Sequence, residues 1–344
     1  MKKIYIGFLF CFFFVVNGFA QERYKVVFYN LENFFDTIND PEVLDDEFTP
    51  EGSKKWNNEK YAIKLSNVER VLFDIASIDK KYPAIIGVCE VENRNVLEDI
   101  VATKKMSPAN YRIVHYDSPE RRGVDVAFLY RPDIFKKQGE KAVKVTLPDE
   151  PYFRTRDILT MWGTIEEEPF FFMVAHWPSR LGGKADSEYR RIAVAKQMRS
   201  IADSVRAENP AVKVILMGDF NDDPTDYSMT DGLKSKTRVK DVKQGDLFSP
   251  FADVLKAGYG TLAYQDAWNI FDNIVISDNL LSGGSNNIKI RKAKRYKYYG
   301  NIFSRHYMLQ KSGQYKGYPL RTFVGDNFQG GYSDHFPVYI YIGK

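Results

Sequence analysis

Cysteine is nearly absent from this chain of 344 residues: there are two, Cys11 and Cys89, beside only four histidines. Neither residue type shows the spacing of a zinc site, which excludes a structural zinc module. Long apolar runs are as scarce. One, Ile4 to Val16, lies at the N-terminus and is too short to span a bilayer comfortably. No second run of spanning length follows, so no transmembrane segment is expected in the mature chain. There is no internal repeat and no dividing linker. Gly258-Tyr259-Gly260 lacks the third glycine and the following helix of a nucleotide fingerprint, so it reads as a loop.

What the N-terminus does have is the pattern of a secretory signal. Lys2-Lys3 precede the apolar run, and Gly18-Phe19-Ala20 offers small residues for cleavage after Ala20. Export to the periplasm or beyond is therefore expected, with Gln21 as the mature N-terminus. Cys11 lies inside the apolar run and not at a lipidation junction, which disfavours a lipoprotein. Removal of residues 1–20 takes two lysines and no acid, lowering the net charge from +4 to +2 and leaving 324 residues. Only Cys89 survives, so no intramolecular disulfide can form and stability must come from the core, with bound metal as a further source. Cys89 reads as a small buried hydrophobe. The length allows one large α/β domain or two smaller ones. Without a linker, a single domain over residues 21–344 is expected, acting as a monomer.

Apolar runs of strand length recur between turn-forming residues: Tyr24–Tyr29, Ala84–Cys89, Tyr111–His115, Val124–Tyr130, Phe170–Ala175, Val212–Met217, Asn273–Ser277 and Phe336–Ile340. Two stretches carry helical periodicity. Asn57 or Asn58 caps one, with Leu65, Val68, Leu72 and Ile75 on one face; Ser187 caps the other, with Tyr189, Ile192, Ala195, Ile201 and Val205 inward. Helices spread among strands predict a layered α/β domain. Two segments are biased in charge. Asp36 to Glu51 has seven acids and no base, as a solvated loop would. Asn279 to Gly325 has ten Lys or Arg, no acid, and interleaved rings including Tyr296, Tyr298, Tyr299, Phe303, Tyr307, Tyr315 and Tyr318. Single-stranded or distorted nucleic acid suits such a segment, although a basic surface loop without a ligand has the same composition.

Polar residues interrupt the apolar runs at particular points. Val26–Tyr29 ends at Asn30, Ile85–Cys89 at Glu90, Phe171–Ala175 at His176, and Val214–Met217 at Gly218-Asp219. Asp219 and Asn221 are two apart, so an extended backbone sets both on one face. Ser333-Asp334-His335 precedes its strand, and a strand running the opposite way brings it to the same edge of the sheet. The result is a rim of carboxylates and amides with two imidazoles. Hard oxygen ligands suit Mg²⁺ or Mn²⁺, with Ca²⁺ a further option. Two histidines can divide the roles of general base and general acid. Metal and proton handlers together fit hydrolysis of a phosphate ester. His115 continues a strand pattern and reads as structural; His306, in the basic segment, reads as a surface residue or at most a phosphate contact.

Tyr29-Asn30-Leu31-Glu32-Asn33-Phe34-Phe35-Asp36, Glu90, His176-Trp177-Pro178-Ser179, Gly218-Asp219-Phe220-Asn221, Phe271-Asp272-Asn273-Ile274 and Ser333-Asp334-His335 occur in the order found in the endonuclease/exonuclease/phosphatase superfamily. Over residues 24–342 the chain resembles that superfamily, including its deoxyribonuclease-I-like members. Each motif alone is weak; together and in order they are specific. The resemblance implies a four-layer α/β sandwich: two mixed, mainly antiparallel sheets face to face, with helices outside. It also implies that Glu90 is the main metal ligand with Asn30 beside it, and that Asp334 assists at the metal. Asp219 would orient or activate water, and Asn221 would hold a phosphate oxygen. His335, oriented by Asp272, would be a general base or a phosphate-stabilising cation. His176 looks like the second histidine of the secreted branch, a general acid, where the DNA-repair branch usually has another residue. Asp125 is the nearest candidate for its carboxylate partner, although it does not fall cleanly on that position. Arg156 resembles the phosphate-contacting arginine, with Arg154 close by. The secreted deoxyribonucleases usually carry a disulfide, which this chain cannot form.

The function expected is exported, divalent-metal-dependent phosphodiester hydrolysis of nucleic acid, in the manner of an endonuclease. The same chemistry on a phospholipid head group such as sphingomyelin, or on an inositol phosphate, is the first alternative. A catalytically silent binding module is the second, and the complete set of site carboxylates and histidines argues against it.

Overall fold

A computed structural model describes residues 22–284, 286–293 and 297–344. The expected signal segment 1–20, and Tyr296 of the basic segment, lie outside the described residues. Strand β1 (Arg23–Phe34) begins as the Tyr24–Tyr29 run predicts and continues five residues beyond it. β2 (Ile85–Val91), β3 (Arg112–His115), β4 (Asp125–Tyr130), β7 (Glu168–His176), β8 (Lys213–Asp219) and the strands Asp272–Ser277 and Val338–Gly343 occupy the other predicted runs, with shifted ends.

These strands form two large sheets. In the first, the order is Lys289–Arg291, Val338–Gly343, β1, β2, β4, β3, and Asn301–Ile302 adds to Val338–Gly343. In the second, β5 (Phe135–Val143), β6 (Ile158–Ile165), β7 and β8 are followed by Asp272–Ser277, Leu247–Phe248 and Ser235–Lys236. Most neighbours are antiparallel. Two long pairs are parallel, β1 with β2 and β7 with β8. A parallel pair needs a crossover, and helices supply it: α1 (Asn58–Ser77) joins β1 to β2, and α3 (Lys184–Glu208) joins β7 to β8.

Alternation along each strand sorts the residues into layers. Val26, Phe28, Ile85 and Phe128 of the first sheet meet Phe172, Val174, Ile215 and Met217 of the second in one buried core. Their neighbours Val27, Tyr29, Ile86 and Val88 face outward under Val68, Leu72 and Ile75 of α1 and under α2 (Arg94–Ala102). On the far side Met173, Val214 and Leu216 pack under Val194, Ala195, Met198 and Ala202 of α3. The protein is thus a four-layer α/β sandwich. Gly87 marks how closely the sheets approach, because a Cβ there would lie 2.4 Å from Met217 Sδ.

Several local expectations are corrected. Asn57 caps α1 as predicted, accepting from Lys60 N. Ser187 caps nothing: α3 starts after Gly183, and the Ser187 hydroxyl lies within the helix and donates back to the Gly183 carbonyl. Of the residues expected inward on α3, Ala195 is buried and Ile201 and Val205 pack partly buried against the core. Arg191, Val194, Ala195, Met198 and Ala202 go inward, whereas Tyr189 is exposed. Arg191 enters the interior to meet Asp222.

Candidate active site

Strand register brings the site together. β7 and β8 are parallel with His176 beside Asp219, and Asp272–Ser277 is antiparallel to β8 with Asp272 beside Asp219. Three functional side chains therefore line one end of the second sheet by pairing alone. Across the core, Asn30 of β1 is registered with Cys89, next to Glu90. Both strands bulge here. The β2–β4 pairing slips between Cys89 and Val91, and Glu90 sits there at φ 58°. Glu32, Asn33 and Asn221 also adopt positive φ, at 53°, 46° and 52°. Non-glycine residues held in this region cost free energy, and their clustering around one rim marks a functional site.

Asn30 sits at the centre. Its side-chain oxygen accepts from Glu32 N at 2.8 Å, which turns its amide nitrogen toward both acids. That nitrogen donates to Glu90 Oε1 at 3.1 Å and to Asp219 Oδ2 at 3.0 Å. Asn30 thus presents a donor, not an oxygen, to the two carboxylates. Asn33 N donates to Glu90 Oε2 at 2.9 Å. Asp219 Oδ1 accepts from Asn221 N at 3.0 Å, the expected Asx turn, and Asn221 Nδ2 donates to the Trp177 carbonyl at 3.0 Å. Ser333 donates to the Asn30 carbonyl at 2.7 Å and accepts from His335 N at 3.1 Å, so the last motif is tied to the first.

Both imidazoles aim at Asp219. His176 Nε2 lies 3.6 Å from Asp219 Oδ2 and 3.8 Å from Glu90 Oε1; His335 Nε2 lies 3.9 Å from Asp219 Oδ2. Their surroundings differ in sign. Burial disfavours the charged form of His335, but the carboxylates of Asp272, Asp219 and Asp334 outweigh it and hold its pKa well above the ordinary value. Asp272 Oδ2 is 2.7 Å from His335 Nδ1. Burial, reinforced by Arg156, Arg122 and His335, holds His176 well below its ordinary value. Its Nδ1 is buried and has no partner among the described residues. The two imidazoles are thus biased toward opposite protonation states. Burial, with Asp272 and Glu90 adding to it and His335 opposing, pushes Asp219 up to about 7.

Such a carboxylate pair fits a cation. Glu90, His176 and Asp219 can each bring one ligand atom within 4.8 Å of the others, and so can Asp219, Asp272 and His335. Holding partly buried Glu90 and buried Asp219 around one amide is costly unless positive charge compensates them, and the oxygen-rich donor set suits a hard divalent ion. Asp334 lies at the edge, paired with Arg321 and 4.0 Å from His335 Nε2.

Arg156, not Arg154, points inward. It is buried and donates to the Trp177 carbonyl at 2.9 Å, the same oxygen that Asn221 uses, whereas Arg154 is exposed. Asp125 turns away from His176. Its Oδ2 lies 3.3 Å from His115 Nε2 and its Oδ1 accepts from Ser118 N, so it braces the β3–β4 turn. Of the residues foreseen as one site, Asn30, Glu90, His176, Asp219, Asn221, Asp272, Asp334, His335 and Arg156 converge; Asp125 does not.

Sequence reasoning missed the supports. Asp222, fully buried, takes Arg191 Nε at 2.7 Å and Arg180 Nη2 at 3.0 Å, while Arg180 Nε also holds the Asn221 carbonyl at 2.7 Å and stacks over Phe271. Glu32, pushed up to about 7 by burial and by Asp334, accepts from Thr322 N and Oγ1 and so pins the basic segment to β1. For Asp222 the available signal was an unexplained acid directly after Asn221, while Glu32 stood within the first motif without an assigned role.

Residues 25–344 match the model of the Endonuclease/Exonuclease/phosphatase family. Among solved structures, a family protein from Bacteroides thetaiotaomicron superposes with a TM-score of 0.55 at 16% identity, covering 94% of this chain and 95% of its own. A mannosyl-6-phosphatase from the same organism gives 0.54 at 15%, covering 93% and 99%. D. rerio TDP2, complexed with a single-strand DNA product, gives 0.54 at 12%, covering 94% and 99%. At these identities the likeness concerns the fold. A search of curated proteins finds no match.

Proposed function

The chain belongs to the endonuclease/exonuclease/phosphatase family, and from that premise we propose that it is an exported, monomeric, divalent-metal-dependent phosphodiesterase acting on nucleic acid, with Mg²⁺ or Mn²⁺ as the ion. The observation that carries the reading is the convergence of two imidazoles on one buried acid, one of them held by Asp272. A phosphate ester needs a group that takes a proton from water and a cation at the transferring phosphoryl. Neutral His176 suits the first task. His335, kept charged by Asp272, suits the second and can release its proton to the leaving oxygen. This reverses the acid role that the resemblance gives to His176.

Glu90 and Asp219, steered by Asn30, would hold the ion, which supplies charge neutralisation and a more acidic water. Asn221 and Arg156 face the same space and would position phosphate oxygens. Support for nucleic acid comes from the basic segment, and from a protein of like fold whose structure holds a single-strand DNA product. The rings of that segment contribute less than their composition suggests. Phe303 is buried, and Tyr307 donates to Asp74, while Tyr315 is exposed. Among the described residues no helix is long and apolar enough to cross a membrane.

The test is nicking of closed-circular plasmid by residues 21–344 with Mg²⁺, beside chelated samples and His335→Ala. Nicking that is lost in both controls is the expected result. A folded protein that leaves plasmid and RNA intact but releases phosphate from a sugar phosphate or inositol phosphate, or a phosphorylated head group from a phospholipid, would replace this substrate with that one.

A further inference from the structure

Next to the catalytic groups lies a second basic centre that the hydrolytic reading leaves unused. Arg122 stands in the loop before β4, with its side chain 43% exposed. Its Nε donates to Glu120 Oε1 at 3.2 Å, its backbone N–H to Glu120 Oε2 at 2.8 Å, and its Nη1 to Asn33 Oδ1 at 3.3 Å. Asn33 N in turn holds Glu90. One residue therefore separates Arg122 from the carboxylate at the heart of the site. Glu120 also lies 3.9 Å from Arg156 Nη1. One buried carboxylate thus stands between two guanidiniums. Arg156, 7% exposed, keeps a buried Nε with no partner among the described residues, and Arg122 Nη2 has no acceptor among them either. A buried donor without an acceptor, such as Arg156 Nε, is rare in folded proteins; Arg122 Nη2, on a side chain open to solvent, is free to meet an incoming anion. Two fixed guanidiniums exceed what one phosphate beside a metal ion requires.

We propose that Arg122, bracketed by Glu120 beside Arg156, binds a second phosphate of the substrate, adjacent to the one being cleaved. This rests on the phosphodiesterase reading and narrows it. The preferred substrate carries at least two phosphates in sequence, as a polynucleotide does and a single-phosphate head group does not. Arg122 is thus a specificity-determining residue, and its loss falls on KM.

The test compares dTpdT with its 5′-phosphorylated and 3′-phosphorylated forms, using wild type, Arg122→Ala and Arg122→Lys with Mg²⁺. Bis(4-nitrophenyl) phosphate, with one phosphate, monitors the chemistry. The expected result is a wild-type KM about ten-fold lower for one doubly phosphorylated dinucleotide than for dTpdT. That gain is lost in Arg122→Ala and partly kept in Arg122→Lys. Equal loss on all substrates, or no wild-type preference, would overturn the subsite while leaving the phosphodiesterase reading intact. Wild type inactive on every diester would overturn both.

Discussion

Asp272→Asn changes one charge and almost no volume, at a position with no exposure to solvent. Its carboxylate lies 2.7 Å from His335 Nδ1 and is the largest of the influences that keep that imidazole charged against burial. A hydrogen bond to a charged partner contributes about 1.5–3 kcal/mol. Its loss lowers the ratio of charged to neutral His335 by a factor of about 10 to 150. The pH–kcat profile, measured from pH 5 to 10 with saturating Mg²⁺ and a chromogenic diester, should keep its shape while its alkaline limb moves to lower pH. Stability supplies an independent check. The raised pKa of His335 contributes stability that is fully present below the unfolded value and is lost as pH rises through the folded one. The Tm gap between wild type and Asp272→Asn should therefore be wide near pH 6 and narrow toward pH 10. An unmoved alkaline limb together with a pH-independent Tm gap would refute the claim that Asp272 sets the charge on His335.

Three further outcomes are expected. Arg191 and Asp222 form an ion pair with neither side chain exposed, so Arg191→Ala should cost about 3 kcal/mol in urea unfolding; a cost below about 1 kcal/mol would mean that Arg180 alone suffices. Asp219, raised to about 7, holds its proton more tightly folded than unfolded, so metal-free protein should lose about 4 kcal/mol as pH climbs from 4 past 7. Added Mg²⁺ should then raise Tm more at pH 8 than at pH 5, and equal gains would contradict the assignment of Asp219 to the ion. A Cβ on Gly218 would lie 2.0 Å from the Ala175 carbonyl, so Gly218→Ala should cost about 1–3 kcal/mol and lower kcat by spreading β7 from β8 beside the site; full activity at unchanged Tm would disprove that coupling.

The parts legible in sequence were those where polarity breaks abruptly. Asn30, Glu90, His176 and Asp219 each end an apolar run, and sheet register alone then places them at one edge. β5 escaped notice because it is an edge strand whose Lys136, Lys137 and Gln138 face solvent, leaving no apolar alternation to read. Asp125 was misplaced because strand-end position does not say which neighbour a side chain turns to. The choice of His115 is made by the β3–β4 pairing that sets His115 beside Ala127. Arg122, Arg180 and Glu32 act from loops or bulges, where no periodicity constrains the side chain. The inward place of Arg191 on α3 was not legible, because its partner Asp222 lies 31 residues further along the chain.

The first sheet seats β1 between β2 and Val338–Gly343, with Arg23 opposite Gly343 and Phe28 opposite Val338. A ribosome delivers Asn30, Glu90, His176, Asp219 and Asp272 well before His335 and the strand that follows it. Until that strand docks, β1 has one open edge, Asp272 has no imidazole to orient, and Ser333 has not closed onto Asn30. Every nascent chain that stops short of this strand carries the acids of the site without the imidazole of His335 facing them. The rim of polar side chains is thus completed late, set by the order of synthesis.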